Sequence, residues 1–420
     1  MKTKFSLLIF CLLVFSSFSS MGISLLAPSN IIITYPQLSI PDYGVSHYNI
    51  TQDVTYEVVL NFTFTHRSGP NDYWFRFARF NTRMPNSSLT RYCPPYQESK
   101  LNYSKISSNI LPAEIKEGHH DKFNNTYDSF NATNLAIDEI ISFDQRYIVK
   151  LNAITFQDID PADIGVYDTS DEMFELYNKS EPYYEKDDPS LFALSYSIVD
   201  VNDSVVVKAE KIYNWVSNNI VYNRYLPDQE MGALWAYENL QGDCSEYSSL
   251  MVTLLRIQGI PARKVTGFVI SNNPSTRPSV GQTWNYYSTE SVTTILGHAW
   301  VEYYVPEIGW IACDPTWASG GNYFNSIDLL RFNVNVGANF LFPPLEDLVS
   351  EFGNPGIVYY ETSIFEYNYN VKVTVLESNL APLAPFPLFV VIFIGAGVAV
   401  VLIAIILIMK RKKEIISYEY

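Results

Sequence analysis

The chain has 420 residues, which is enough for two or three domains. Hydrophobic residues make up 47% and charged residues 17%, so the composition excludes a disordered chain, and the 31 tyrosines and 25 phenylalanines favour strands. The net charge of −16 repels phosphate backbones and excludes nucleic acid as an expected partner, and four cysteines without a Cys-x-x-Cys pair exclude a zinc ribbon.

Residues 1–20 have the pattern of a secretory signal peptide. Lys2 and Lys4 precede an apolar stretch over 5–18, and small residues follow at a plausible cleavage point. An uncleaved anchor is the alternative interpretation.

Alternating apolar and polar residues over 31–157 predict an N-terminal antiparallel β-sandwich-like domain. The clearest runs are 54–64 and 73–80, and a turn cluster at 67–72 separates them. Asn-x-Ser/Thr glycosylation acceptors occur only in the first half of the chain: Asn49, Asn61, Asn86, Asn102, Asn124, Asn131, Asn178 and Asn202. This one-sided placement predicts a glycosylated surface there and a bare one in the second half.

The acidic segment 158–190 is expected to be a solvated linker. A calcium site is the alternative, but the aspartates do not have the spacing of an EF-hand loop. His119 and His120 beside Asp121 similarly allow a metal site, although no further ligands lie nearby and a solvated loop is favoured. We therefore expect no cofactor and no metal.

Two helices are predicted next. Apolar residues recur at helical spacing over 206–220, after Asp203 or Ser204 as a possible cap. The second helix begins with Asp243 as its cap and Glu246 three residues later, and the sequence 259–261 ends it.

Cys244 occupies the first position of the second helix, where unpaired N–H groups and the helix dipole should lower the pKa of its thiol. A nucleophilic thiol needs a base and an acceptor that orients the base. His298 lies on a predicted strand, and Asp314 lies at the end of the next strand, joined to the first by a hairpin through 306–309. The three residues are therefore predicted to form a Cys-His-Asp catalytic triad.

Four short motifs contain or neighbour these residues. In chain order they are GDCSEY at 242–247, LRIQGIPAR at 255–263, HAWVE at 298–302 and GWIACDPT at 309–316. Together with the preceding helix they resemble the transglutaminase-like superfamily. The resemblance implies a papain-like thiol fold for a catalytic domain at 191–320, and a family chemistry of protein crosslinking, proteolysis or amide hydrolysis. Calcium-dependent animal members carry several β domains after the catalytic one, which this chain has no room for; this favours the microbial, protease-like branch.

Two features near the site stay open at this stage. The second oxyanion donor, beside the backbone N–H of Cys244, could be Gln241, Trp235 or Tyr222. A disulfide between Cys93 and Cys313 is also possible, whereas the mechanism requires Cys244 to stay reduced.

The C-terminal part carries a membrane signal. A short β-rich region at 321–380 precedes 22 uncharged residues, 388–409, which are long enough for a transmembrane helix. The basic residues that open the tail 410–420 predict that the tail is cytoplasmic and that the catalytic domain is extracellular, in a single-pass type I arrangement.

The sequence thus predicts an α+β, membrane-anchored thiol enzyme that cleaves or transfers amide bonds of a protein or peptide substrate. A protein-crosslinking transamidase is one alternative. A non-catalytic surface protein that uses the fold for binding or adhesion is the other.

Overall fold

The structure is a computed structural model that describes residues 47–82, 93–106, 115–157, 159–227, 230–337 and 356–380. The predicted signal peptide, transmembrane helix and cytoplasmic tail lie outside these residues. Within them, no helix has both the length and the apolar character needed to cross a membrane.

Among the described residues, six strands precede the first α-helix: β1 (Tyr48–Ser68), β2 (Tyr73–Ala78), β3 (Gln97–Ile106), β4 (Ile115–His120), β5 (Thr126–Ala132) and β6 (Ile140–Phe156). Apolar side chains alternate along β1, so that Phe62 and Phe64 are buried while Asn61 and Thr63 are exposed. The strands predicted at 54–64 and 73–80 are confirmed.

The middle of the chain is mainly helical: α1 (Glu172–Tyr177), α2 (Pro189–Ile198), α3 (Val205–Asn219), β7 (Val221–Tyr222), α4 (Ala233–Asn239), β8 (Gln241–Gly242) and α5 (Cys244–Ile257). Ser204 caps α3 by accepting a hydrogen bond from the N–H of Val207. Every residue of α5 is buried, so this helix forms the centre of the helical core.

The remaining strands are β9 (Ala262–Val269), β10 (Thr283–Ser288), β11 (Gly297–Val305), β12 (Gly309–Cys313), β13 (Ser326–Ile327), β14 (Arg331–Val336), β15 (Gly356–Val358) and β16 (Ile364–Ser378). Four of them form an antiparallel sheet in the order β12-β11-β9-β14, and α5 packs against it. The predicted hairpin is present, with Val305 opposite Gly309.

Two further antiparallel sheets pack face to face across an aromatic core. One has the order β10-β16-β1-β6-β13, with β3 also paired to β6, and the other has the order β15-β2-β5-β4. Phe62 of the first sheet contacts Phe75 and Phe77 of the second, at ring-centroid distances of 5.6 and 5.1 Å. Strands from all three predicted ranges, 31–157, 191–320 and 321–380, share these sheets, and the ranges remain predictions as domain boundaries.

The segment predicted as a solvated linker is packed instead. Tyr177 and Tyr184 are fully buried in the helical core. Their rings lie against the guanidinium groups of Arg263 and Arg256, at 5.3 and 5.1 Å. The expectation of a solvated linker was wrong. It was based on the acidic composition of 158–190, which does not indicate that the tyrosines of this segment are buried.

The outer edge of β14 is paired with side-chain amides. Gln97 donates to the carbonyl of Asn333 at 2.8 Å and accepts from its N–H at 2.7 Å. Asn125 makes the same pair of bonds with Val336, both at 2.7 Å. These amides satisfy an edge that would otherwise bury unpaired backbone groups, and they tie the N-terminal strands to the sheet that carries the site.

Candidate active site

Cys244 is the first residue of α5, as predicted. Asp243 accepts from the N–H of Ser245 at 2.7 Å, and Glu246 accepts from the N–H of Asp243 at 3.0 Å, which completes the predicted capping box. Gly242 allows this arrangement, because a Cβ there would lie 2.4 Å from the Cβ of Glu246. The start of the helix, and with it the thiol, is therefore held in one position.

His298 lies on β11 and is 4% exposed. Its Nε2 is 2.6 Å from Oδ2 of Asp314. Because a carboxylate accepts this bond, Nε2 carries the hydrogen, and Nδ1 is the ring nitrogen left to accept a proton. The rings of Trp300 and Trp317 lie 6.2 and 5.6 Å from the imidazole and enclose it.

Asp314 follows β12 and caps a 3-10 turn at Pro315–Gly320. Its Oδ1 accepts from the N–H groups of Thr316 and Trp317, at 3.0 and 3.3 Å. Burial alone would raise the pKa of this carboxyl, but the nearby His298 and Arg331 outweigh burial and lower the pKa to about 2. The carboxylate is therefore ionised over the physiological range.

The thiol of Cys244 reaches the strand that carries His298. The backbone N–H of Ala299, the next residue after His298, lies close enough to the sulfur to lower the pKa of the thiol. The thiol also lies close enough to Asp314 for their charges to interact. The structure therefore joins His298 to Asp314 and places Cys244 near both Asp314 and the strand that carries His298.

The pKa of the Cys244 thiol is raised, and our expectation of a lowered value was wrong. Burial is the largest cause, and the carboxylates of Asp243, Asp314 and Glu246 add to the rise, against the opposing Ala299 hydrogen bond. Two of these carboxylates belong to the capping box itself. The same cap that fixes the helix start thus places two carboxyl groups near the sulfur, which favours the neutral thiol.

Of the three candidate oxyanion donors, Tyr222 lies close enough to the thiol to interact with it electrostatically. It pairs with Gly242 in the short parallel β7–β8 ladder, and its phenol interacts electrostatically with Cys244. Burial first, and then the charges of Cys244 and Asp243, raise the pKa of Tyr222 to about 12, so the hydroxyl stays a donor at neutral pH. The side chain of Gln241 instead accepts from Asn223 at 3.0 Å, and Trp235 lies on α4.

Arg331 was missed by our reading of the sequence. It opens β14 and donates to Oδ2 of Asp314 from Nη2 at 2.7 Å and from Nε at 3.2 Å. The signal in the sequence was a single basic residue inside the apolar alternation of 329–336. Such a residue is worth attention, because a buried arginine needs a carboxylate partner.

Two other features of the sequence, the possible disulfide and the histidine pair, were weighed as further sites. Cys313 carries a reduced thiol that contacts the sulfur of Met251 at 3.9 Å, so the bridge to Cys93 is not formed. His119 and His120 lie exposed on β4. Among the described residues, no group of three or more His, Cys, Asp or Glu side chains is arranged to hold a metal ion.

Comparison with known proteins relates the segment that carries most of this site to a family. The model of the transglutaminase-like superfamily matches residues 193–315. The crystal structure of a candidate cysteine protease from Cytophaga hutchinsonii superposes with a TM-score of 0.51, at 17% identity, over 80% of this chain and 96% of that one.

Two curated relatives match parts of the chain. The uncharacterized protein YebA of Bacillus subtilis is 30% identical over 151 residues, which are 34% of this chain and 20% of that protein. A protein-glutamine gamma-glutamyltransferase of Pseudomonas aeruginosa is 37% identical over 82 residues, 19% of this chain and 11% of that enzyme. The match thus spans a fifth or less of either relative's length. Residues 193–315 of the chain, with their papain-like arrangement of helices and sheet, are thus similar to the transglutaminase-like superfamily.

Proposed function

We propose that the protein is a thiol enzyme that cleaves or transfers amide bonds of proteins or peptides, with Cys244 as nucleophile, His298 as general base and acid, and Asp314 as orienting carboxylate. The observation that carries the proposal is the 2.6 Å contact of His298 Nε2 with Asp314, on a strand that the Cys244 thiol lies near. A binding module has no need of this arrangement.

The raised pKa of Cys244 determines how the reaction starts. The resting site holds a neutral thiol, so proton transfer to Nδ1 of His298 accompanies attack of the sulfur on the amide carbonyl. A sulfur–carbon bond forms and negative charge develops on the carbonyl oxygen. The backbone N–H of Cys244 and the Tyr222 hydroxyl are the donors we expect to stabilise that charge.

The intermediate then collapses. The carbon–nitrogen bond breaks, His298 returns the proton to the leaving amine, and a thioester remains on Cys244. Water or a second amine attacks the thioester, again assisted by His298, and restores the thiol. Water gives hydrolysis and an amine gives transfer, so one triad serves both the favoured reaction and the transamidase alternative.

Peptide substrates separate these outcomes. The full-length protein would be incubated with a glutamine-containing peptide library, with and without a primary amine, and the products read by mass spectrometry. New peptide termini indicate proteolysis, loss of ammonia with gain of water indicates side-chain hydrolysis, and gain of the amine indicates transfer. Cys244→Ala is the test variant and Cys313→Ala the matched control. If no product depends on Cys244, the binding or adhesion alternative replaces the enzyme.

We also propose the location expected from the sequence, with the catalytic domain outside the cell and residues 388–409 as its anchor. The seven glycosylation acceptors within the described residues support an exposed setting, because none of them is buried. Protease added to intact cells should remove the catalytic domain, and protection of that domain would contradict the orientation.

A further inference from the structure

We propose that Arg331 is a positioning residue of this reaction, whose guanidinium fixes the Asp314 carboxylate against His298 and offsets part of the negative charge beside the imidazole. The inference rests on the proposed function. Arg331 lies beyond residues 193–315, the part of the chain that matches the family model, and nothing in that match assigns it a role.

The first support is the geometry at Asp314. One oxygen, Oδ2, accepts from His298 at 2.6 Å and from Arg331 at 2.7 and 3.2 Å. The other oxygen accepts from the backbone. The carboxylate is therefore held on every side, and the direction in which it presents Oδ2 to His298 depends on the arginine.

Arg331 is itself held rigidly. Its side chain is 0% exposed and forms an ion pair through Nη1 with Asp328. The guanidinium lies over the rings of Trp317 and Tyr323, at 4.2 and 4.5 Å from their centroids. A side chain fixed by two carboxylates and two aromatic rings transmits its position to Asp314.

The balance of charge gives the second support. Asp314, Asp328 and Arg331 carry two negative charges and one positive charge, and the total charge becomes zero when the adjacent His298 takes up a proton. Without Arg331, the imidazole would lie beside an uncompensated Asp314 carboxylate. Negative charge nearby opposes removal of the proton from the Cys244 thiol. The arginine offsets part of that charge, so that His298 can take the proton during attack.

Several other titratable groups interact electrostatically with Cys244, Asp314 or Arg331 and can bear on this balance. They are Glu246 of α5 and Asp243 before that helix, Tyr213 of α3, and Tyr323 and Asp328 before β14.

The test uses the full-length protein and a readout that needs no turnover. Cys244 would be alkylated with iodoacetamide across pH, and the labelled peptide quantified by mass spectrometry. Arg331→Met should raise the midpoint of the pH profile of Cys244 alkylation by about one pH unit, because the negative charge of Asp314 is no longer compensated. Arg331→Lys should keep the midpoint near the wild-type value and still lower kcat without a matching change in KM, since lysine keeps the charge but lacks the planar fork.

Arg263→Met is the matched control. Arg263 is also fully buried, pairs with Glu302 at 2.6 Å, and lies 3.7 Å from the ring of Trp310 in the same sheet, but its carboxylate partner is not Asp314. It should cost stability and leave the alkylation midpoint unchanged. An equal shift in this control, or no shift in Arg331→Met, would overturn the inference.

Asp328→Asn keeps the inference testable if the Arg331 variants fail to fold. Its side chain is 21% exposed, so the substitution is tolerated more easily. Removing the negative charge of Asp328 leaves more of the positive charge of Arg331 uncompensated, so the midpoint of Cys244 alkylation should fall. An unchanged or raised midpoint would contradict the inference. If these shifts occur while no substrate is turned over, the proposed function fails and the electrostatic coupling stands.

Discussion

Gly267 and Phe332 approach each other so closely that no side chain fits between them. A Cβ on Gly267 would lie 1.8 Å from the carbonyl oxygen of Phe332. Gly267 is opposite His298 on one side and opposite Asn333 on the other. This glycine therefore sets the spacing between the strand that carries His298 and the strand that begins with Arg331.

We predict that Gly267→Ala destabilises the protein by about 1–3 kcal/mol or more, because backbone rather than a flexible side chain must move. The activity should fall further than the folded fraction does. Gly356→Ala is the control, since its Cβ would make an ordinary 3.5 Å contact with Arg76. Urea unfolding of both variants checks this, and equal stabilities would show that the close approach is not rigid.

The pH dependence of Cys244 alkylation should follow the raised pKa of its thiol. The thiolate is the reactive form, so the rate should rise with pH through a midpoint above the ordinary cysteine value of about 8.5. Asp243→Asn removes one of the carboxylates and should lower that midpoint. A wild-type midpoint below about 7 would show that the thiolate–imidazolium pair is already formed at rest.

Asp314 should contribute to stability in a defined acid window. Its folded pKa of about 2 lies below the unfolded value of about 3.9, so its contribution of about 2–3 kcal/mol is complete above that unfolded value. It is lost as pH falls through the folded value. Denaturant unfolding of wild type between about pH 5 and 2 should show this dependence of stability on pH, and Asp314→Asn should lack it.

The same substitution should lower kcat by about 10²–10⁴-fold, because an amide no longer orients the imidazole or stabilises its protonated form. Alkylation of Cys244 should persist in Asp314→Asn. Turnover equal to that of wild type would remove Asp314 from the mechanism.

Tyr222 provides a test of the oxyanion site. Tyr222→Phe should lower kcat by about 10²-fold with little change in KM, since the hydroxyl acts on charge that develops only in the transition state. Tyr225→Phe is the control, because Tyr225 is 79% exposed and its hydroxyl accepts from Arg224. If the two variants behave alike, Tyr222 is not the donor.

The parts of the site that could be predicted from the sequence are those with local signals. The capping box around Cys244 is encoded within four residues, and the hairpin that joins the His298 strand to Asp314 is encoded by alternation and a turn. Arg331 contacts Asp314 from 17 residues away, across the sheet, where no short motif indicates the pairing. The raised pKa of Cys244 was missed for a similar reason, since it depends on burial and on Asp314 as well as on the helix start.

Strand pairing shows the same limit more strongly. β16 pairs with β1 along most of its length, with Val58 opposite Val373, although one strand lies near the start of the described residues and the other near their end. Alternation predicted that both segments are strands, but it carries no information on which strands are neighbours. Aromatic burial at Tyr177 and Tyr184 was likewise invisible in a segment whose composition is acidic.

Trapping of the acyl-enzyme tests the central proposal most directly. A peptide mixture would be added to the full-length protein, the reaction quenched in acid, and the peptide containing Cys244 examined by mass spectrometry. We predict an acyl adduct on Cys244 that disappears in Cys244→Ala, accumulates when amine and water attack is slowed, and is retained in Cys313→Ala. An adduct on another residue, or turnover without any adduct on Cys244, would contradict the account.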